Sequence, residues 1–70
     1  MHRFYVEHPA SAGKTAVLSA EESAHAARVL RLRPGEEIVL LDGQALWSAR
    51  LEAVNERACE ARVLLSLIHI

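Results

Sequence analysis

Short apolar segments separated by turn signals limit the fold of this chain more than any other feature of its sequence. Residues 37–41 (EIVLL) are apolar after Glu37 and have the length of a buried strand, and Asp42-Gly43, a dipeptide typical of a tight hairpin, follows them. Residues 46–52 then alternate between apolar and polar side chains, and the alternation resumes at Cys59 after a turn. The predicted inward face carries Trp47, Ala49 and Leu51 of one strand and Cys59, Ala61, Val63 and Leu65 of the next. The second half of the chain therefore predicts three consecutive strands.

The first half of the chain predicts two further strands. Residues 2–6 alternate and are rich in aromatic side chains, which is typical of a strand. Phe4 and Tyr5 point to opposite faces of that strand, so we expect one of them to be exposed. A loop with proline, serine and glycine follows, and residues 15–18 form a second short apolar strand. The chain thus contains about five short strands.

Ser19 and Glu22 predict the start of a helix after the second strand. The Ser19 hydroxyl can accept a hydrogen bond from a free N–H of the first turn, and Glu22 can reach back to the N-cap N–H, as in a capping box. We expect the helix to run from Ala20 to residue 29 or 30. It must end before Arg33, because that residue precedes a proline and is disfavoured in the α region.

Together these elements predict a mainly β fold. Five short strands close most economically into a small barrel, since a closed barrel has no unpaired edge. The chain has 70 residues, and twelve of its apolar residues are alanines, so few large side chains are available for a core. A chain of this length forms one small domain. A multi-domain enzyme with its own deep cofactor cleft is therefore excluded.

Further classes of protein are excluded by features that the sequence lacks. No apolar run approaches the roughly 18 residues of a membrane span, and we expect no signal peptide. A single cysteine, Cys59, excludes a disulfide framework and a cysteine-based zinc site. Residues 13–15 have the ending of a P-loop but lack its earlier glycine. We expect a cytoplasmic protein that binds no membrane and has no catalytic, cofactor or metal site within this chain.

Residues 25–33 (HAARVLRLR) contain three arginines and no acidic residue, although the whole chain has a formal net charge of −1. Arg28 and Arg31 are three positions apart, which on a helix places them on one side. No acidic residue occurs three or four positions from either, so neither is neutralised within the helix. One interpretation is binding of an external anion, because guanidinium groups match phosphate oxygens. The alternatives are a solvated basic face and pairing with Glu52, Glu56 or Glu60.

His25 and Trp47 each have a functional and a structural interpretation. His25 has no second metal ligand at helical spacing, so we expect it to form hydrogen bonds beside the arginines and to contact RNA there. Trp47 could stack on a base, but it falls within the apolar alternation of its strand. A core position is therefore favoured for Trp47.

Four segments together resemble the N-terminal region of the bacterial ribosomal RNA small subunit methyltransferase E family. They are HRFYV (2–6), LSAEESAH (18–25), RVLRLRPG (28–35) and LDG (41–43). The most specific part is the pattern H-x-x-R-V-L-R-L-R-x-G, and the resemblance covers about residues 2–65. Members of that family methylate N3 of a uridine in 16S rRNA and use S-adenosylmethionine.

The resemblance implies a PUA-like RNA-binding barrel over residues 1–65, which seats the enzyme on the rRNA of the small ribosomal subunit. In the family a knotted SPOUT-type domain follows and carries the cofactor and catalytic residues, and the full-length enzyme is expected to dimerise through it. That domain lies outside this chain, so we expect the chain alone to be inactive and to bind no S-adenosylmethionine. The apolar residues 66–70 are expected to be a truncated or non-family tail. The implied RNA contacts are Arg3, His25, Arg28, Arg31 and Arg33.

Two other functions remain open at the level of sequence. A PUA-like barrel can act as a stand-alone RNA-binding module without a catalytic partner. A small barrel can also serve protein–protein contacts, in which case the arginines would pair with the acidic side chains of a partner.

Overall fold

The computed structural model describes residues 2–69, which form five strands and one helical segment. The strands, in chain order, are β1 (Arg3–Tyr5), β2 (Thr15–Val17), β3 (Glu37–Leu41), β4 (Ala45–Ala53) and β5 (Glu60–His69). Helix α1 (Ala20–Ala24) follows β2 and continues directly into a π-helical turn over His25–Val29. The predicted mainly β fold, with a helix after the second strand, is confirmed.

The five strands form one sheet in the order β1-β3-β4-β5-β2. β1 runs parallel to β3, whereas the other neighbouring strands are antiparallel. The sheet is a half-barrel, consistent with a small PUA-like barrel. β1 and β2 lie at its two ends, and within residues 2–69 they do not pair with each other. The barrel that we expected is therefore not closed by strand pairing between β1 and β2.

One hydrophobic core joins the sheet to the helical segment. It contains Phe4, Leu18, Ala26, Leu32, Ile38, Leu40, Ala49, Leu51, Cys59, Ala61 and Val63. Phe4 is 1% exposed and Tyr5 is 67% exposed, which confirms that the two side chains face opposite ways. Trp47 is half-buried and packs against the core, as its place in the alternation indicates.

The inward face predicted for β5 is correct as far as Val63 but wrong at Leu65, whose side chain is 54% exposed. Val63 pairs with Ala49 and Leu65 pairs with Ser48, so an irregularity in the register lies between these pairs. Because side chains alternate with a period of two, one extra residue moves the following side chain to the other face. The irregularity thus accounts for the exposure of Leu65.

The end of β5 includes residues that we expected to be a tail. Trp47 pairs with Ser66, and Leu46 pairs with Ile68, so the ladder with β4 continues beyond residue 65. Leu67 and Ile68 are about half exposed. Ile70 lies outside the described residues. The family origin of residues 66–70 stays a prediction.

Both ends of the helical segment lie near the predicted positions. Ser19 Oγ accepts a hydrogen bond from the N–H of Glu22 (3.2 Å), which confirms Ser19 as the N-cap. At the other end the N–H of Leu32 donates to the carbonyl of Ala26 (3.0 Å). Arg31, which directly precedes Leu32, has a φ of +53°, the left-handed conformation that commonly ends helices.

The buried hydroxyl of Ser23 ties α1 to the start of β5. It donates to the carbonyl of Leu18 (3.3 Å) and accepts from the N–H of Cys59 (2.8 Å). The Cys59 thiol is itself buried and donates to the carbonyl of Asn55 (3.4 Å). Each of these groups would lose hydrogen-bonding water on burial, so the mutual bonds remove a cost of about 1–3 kcal/mol per group. This contact fixes the position of α1 relative to β5, and α1 leads directly into the arginine-containing residues 25–33.

Candidate nucleic-acid interface

The cationic segment 25–33 lies on the surface at the end of the helical segment. His25 and Arg28 belong to the π-helical turn, and Arg31 and Arg33 follow it in the loop that leads to β3. All four residues are exposed. His25 and the three arginines are therefore exposed on one continuous stretch of chain.

Arg28 has a carboxylate partner from another part of the chain. Its Nε lies 3.4 Å from Oε1 of Glu56, in the turn between β4 and β5. This is one of the tertiary pairings left open above, so Arg28 is paired outside its helix although not within it. Both side chains are about two-thirds exposed. An exposed ion pair contributes only about 0–1 kcal/mol, so a phosphate group can compete with Glu56 for this guanidinium.

The expectation that Arg31 shares one side of a helix with Arg28 is wrong. The helical segment ends at Val29, and its last turn is π-helical rather than α-helical. Arg31 then adopts the left-handed conformation, so the three-residue spacing no longer sets its direction. Within residues 2–69, neither Arg31 nor Arg33 forms an ion pair. The two loop arginines are therefore more open to an external anion than Arg28.

Arg33 lies in a turn that Glu36 closes. The backbone N–H of Arg33 donates to Oε2 of Glu36 (2.6 Å), and the N–H of Glu36 donates to the carbonyl of Arg33 (3.2 Å). Gly35, between them, has a φ of +96°, which glycine adopts without strain. This positive φ explains why the sequence pattern ends in glycine at position 35.

Arg3 lies apart from this segment in the chain, on the end strand β1, and is exposed. Its pairing partner in the sheet is Val39 of β3. Arg3 is available to an external ligand, but no described bond links it to residues 25–33.

Asp42 joins three parts of the structure that the sequence did not connect. Its carboxylate accepts hydrogen bonds from the N–H groups of Ala10 (2.8 Å), Gln44 (2.9 Å) and Ala45 (2.8 Å) and from Nε1 of Trp47 (3.1 Å). These donors, the Ala10 N–H first, favour the charged form and lower the pKa of Asp42 from 3.8 to about 2, against an opposing effect of burial. Asp42 therefore holds the β1–β2 loop against the β3–β4 hairpin.

A pocket of about 430 Å³ opens between the two end strands of the sheet. Tyr5 and His8 line it from β1 and the following loop, and Lys14, Thr15 and Val17 line it from the side of β2. No sequence pattern indicates this pocket, because it arises where β1 and β2 do not pair with each other. Only the exposure of one aromatic residue in the first strand was predicted.

The described part of the chain shows neither a membrane span nor a metal site. No helix over residues 2–69 is long and apolar enough to cross a bilayer. Over the same range, no three histidine, cysteine, aspartate or glutamate side chains come together in a group that could hold a metal ion.

Comparison with known families places this chain in a class of known domains. Residues 18–64 match the family described as the RNA methyltransferase PUA domain. This match covers most of the chain and includes the cationic segment, strands β3 and β4, and the first half of β5. The chain belongs to the RNA methyltransferase PUA domain family.

Among curated proteins, the chain is similar to the ribosomal RNA small subunit methyltransferase E of Mycobacterium bovis and that of Mycobacterium tuberculosis. The identity to each is 42% over 62 residues, which is 87% of this chain and 24% of the relative. The chain therefore spans about a quarter of the length of the curated relatives that it matches.

Solved structures show the same similarity. A ribosomal RNA small subunit methyltransferase E from Neisseria gonorrhoeae, bound to S-adenosyl methionine, superposes with a TM-score of 0.83 and 35% identity over 96% of this chain and 28% of that chain. A putative methyltransferase from Legionella pneumophila, also with bound cofactor, gives a TM-score of 0.85 and 28% identity over the same shares. The predicted family resemblance is confirmed.

We predict that Asp42→Asn lowers the free energy of unfolding at pH 7 by about 1–3 kcal/mol. The amide can still accept two hydrogen bonds at its oxygen, but its NH₂ group faces the N–H groups that Oδ2 accepted. Since the folded-state pKa of Asp42 is about 2, its contribution is complete above about pH 4 and is lost as the pH falls towards 2.

Urea unfolding of both proteins at pH 7, 4, 3 and 2 measures this effect. The difference between wild type and variant should shrink between pH 4 and pH 2, because only the wild type loses a charged acceptor there. A difference that stays constant over this range would show that the carboxylate charge contributes nothing to the contact.

Proposed function

We propose that this chain is the rRNA-seating domain of an S-adenosylmethionine-dependent methyltransferase that modifies N3 of a uridine in 16S rRNA. The family match and the similarity to ribosomal RNA small subunit methyltransferase E support the enzyme class. The full-length protein acts on the small ribosomal subunit in the cytoplasm, as a homodimer formed through the part outside this chain.

The observation that carries the RNA-binding role is the exposed cationic segment. Three arginines lie within six consecutive positions of a chain whose formal net charge is −1. Arg28 has one exposed ion pair, and Arg31 and Arg33 have none within residues 2–69. A surface with one sign of charge raises the local concentration of ligands of the opposite sign, so this segment attracts polyanions. Phosphate groups of rRNA are such a partner, and Arg3 and His25 complete the proposed contact set.

Methyl transfer belongs to the part of the full-length enzyme outside this chain. The glycines of the chain, Gly13, Gly35 and Gly43, occupy separate turns. They do not form a glycine-rich loop of the kind expected around S-adenosylmethionine. We therefore assign neither a cofactor contact nor a catalytic residue to residues 2–69, and the chain alone is inactive in this proposal.

We predict that Arg28→Ala with Arg31→Ala weakens binding to a 16S rRNA fragment and reduces its salt dependence. If two phosphates are contacted, the slope of log K against log salt falls in magnitude by roughly 1.4–1.8. The matched control is Arg50→Ala with Arg62→Ala. It removes the same charge from exposed arginines that pair with Glu37 and Glu52.

Filter binding or anisotropy over a salt series measures both slopes. Equal reductions in the two double variants would attribute the effect to net charge alone. Unchanged slopes in both would contradict RNA binding by the cationic segment.

We also predict that Glu56→Gln strengthens RNA binding, because it removes the carboxylate that competes with phosphate for Arg28. The cost in folding stability should stay below about 1 kcal/mol, since the pair is exposed. Glu52→Gln is the matched control, with the same change of charge at the ion pair with Arg62 (3.0 Å).

Affinities of the two variants for the same RNA, measured in parallel, decide the question. A larger gain for Glu56→Gln supports Arg28 as a phosphate contact. Equal gains would indicate only a general electrostatic effect and would remove Arg28 from the proposed contacts.

A further inference from the structure

We propose that the pocket between β1 and β2 binds one unpaired nucleotide of single-stranded RNA, with its base stacked on Tyr5. This inference rests on the RNA-binding part of the proposed function and adds a second site to it. The pocket lies among β1, β2 and their connecting loop, and the cationic segment 25–33 contributes no residue to its lining. Its volume of about 430 Å³ is within the range of about 300–1,000 Å³ usual for small-ligand sites.

The backbone along the β1 side of the pocket has unused hydrogen-bonding groups. The N–H of Val6 donates to Leu41, and the carbonyl of His2 accepts from Val39, so the even-numbered residues of this strand face β3. Alternation then turns the backbone groups of Tyr5 away from the sheet, towards the open end.

The same holds on the β2 side. The N–H of Leu18 donates to Cys59, and the carbonyl of Lys14 accepts from Val63, so even-numbered residues face β5. The backbone groups of Thr15 and Val17 are therefore directed away from β5, and both residues line the pocket. Unpaired N–H and carbonyl groups on two sides of a pocket can bond the edges of a base.

Tyr5 supplies a surface for stacking. Its side chain is 67% exposed although it lies on a strand of the sheet, and its hydroxyl makes no hydrogen bond within the described residues. Unpaired RNA bases stack on exposed aromatic rings of this kind, whereas bases within a duplex are not accessible to them. Free strand edges alone would also accept an extended peptide. The exposed ring favours a nucleotide over such a peptide.

Charge in the pocket also favours a nucleotide. Lys14 is exposed, lines the pocket and forms no ion pair within residues 2–69, so its ammonium group can bind a phosphate. Glu7 is the one carboxylate of the lining, and it can accept a hydrogen bond from a base N–H. The ring and the free backbone groups match the base of a nucleotide, and the cation matches its phosphate.

The wall formed by the β1–β2 loop is fixed before any ligand binds. Ala10, which lines the pocket, donates its N–H to the Asp42 carboxylate (2.8 Å). The N–H of Gly13 donates to the carbonyl of Val63 (2.8 Å) at the other end of the loop. A loop held at both ends loses little conformational freedom on binding, which favours affinity.

The test is a titration of the 70-residue chain with hexauridylate, followed by NMR. The sequence has one tyrosine, so the ring resonances of Tyr5 are assigned without ambiguity. We expect them to move upfield on binding. Tyr5→Leu should weaken hexauridylate binding by roughly fivefold or more, whereas Tyr5→Phe, which keeps the ring, should bind like wild type. Lys14→Ala should reduce the salt slope by roughly 0.7.

A short RNA duplex and an uncharged Val-Thr heptapeptide serve as comparison ligands. The duplex should bind through the arginines without moving the Tyr5 resonances. Wild-type affinity in Tyr5→Leu, with weakened binding in the Arg28→Ala, Arg31→Ala variant, would overturn the pocket and leave the proposed function intact. Tyr5 resonances that move with the heptapeptide but not with hexauridylate would assign the opening to a peptide strand. Failure to bind any of the RNAs would contradict the proposed function as well.

Discussion

The carboxylate of Asp42 is the contact on which the arrangement of the open end of the sheet depends. It accepts the N–H groups of its own hairpin, the indole N–H of Trp47 and the N–H of Ala10 in a distant loop. A charged acceptor of this kind is worth more than a neutral one, roughly twice as much per bond. Through it, the β3–β4 hairpin positions the β1–β2 loop beyond Val6, whose N–H donates to the carbonyl of Leu41. The pocket keeps its shape for that reason.

The cationic segment owes its position to a different set of contacts. Ser23 joins α1 to β5, Ala26 and Leu32 bury their side chains in the core, and the chain turns sharply at Arg31 between them. The backbone is thus fixed by buried groups while the guanidinium groups remain in solvent. Long exposed side chains on a fixed backbone can exchange a surface carboxylate for a phosphate at little cost. A fixed backbone with exposed charged side chains suits the RNA-seating role proposed for this domain.

The sequence predicted the elements better than it predicted their contacts. The hairpin at Asp42-Gly43 and the N-cap at Ser19 were found because they depend on neighbours within a few residues. The partners in the Arg28–Glu56 pair are separated by 28 positions in the chain, and Ala10 and Asp42 are separated by 32. No local pattern indicates which distant partner such a residue contacts. The prediction for the direction of Arg31 is wrong because it depends on α-helical spacing as far as residue 31. The helical segment instead ends in a π-helical turn at Val29, and Arg31 itself is left-handed. The exposure of Leu65 was missed because a register irregularity leaves no clear signal in an apolar run.

RNA binding through the cationic segment 25–33 and the open end of the sheet is the main proposal for this domain. Mapping backbone amide shifts of the 70-residue chain on addition of a 16S rRNA fragment tests it most directly. We expect the largest changes over residues 25–33 and over residues 5–17, with small changes on β4. Changes confined to the exposed end of β5, around Leu65 to Ile68, would contradict it and would indicate a surface for a protein partner instead.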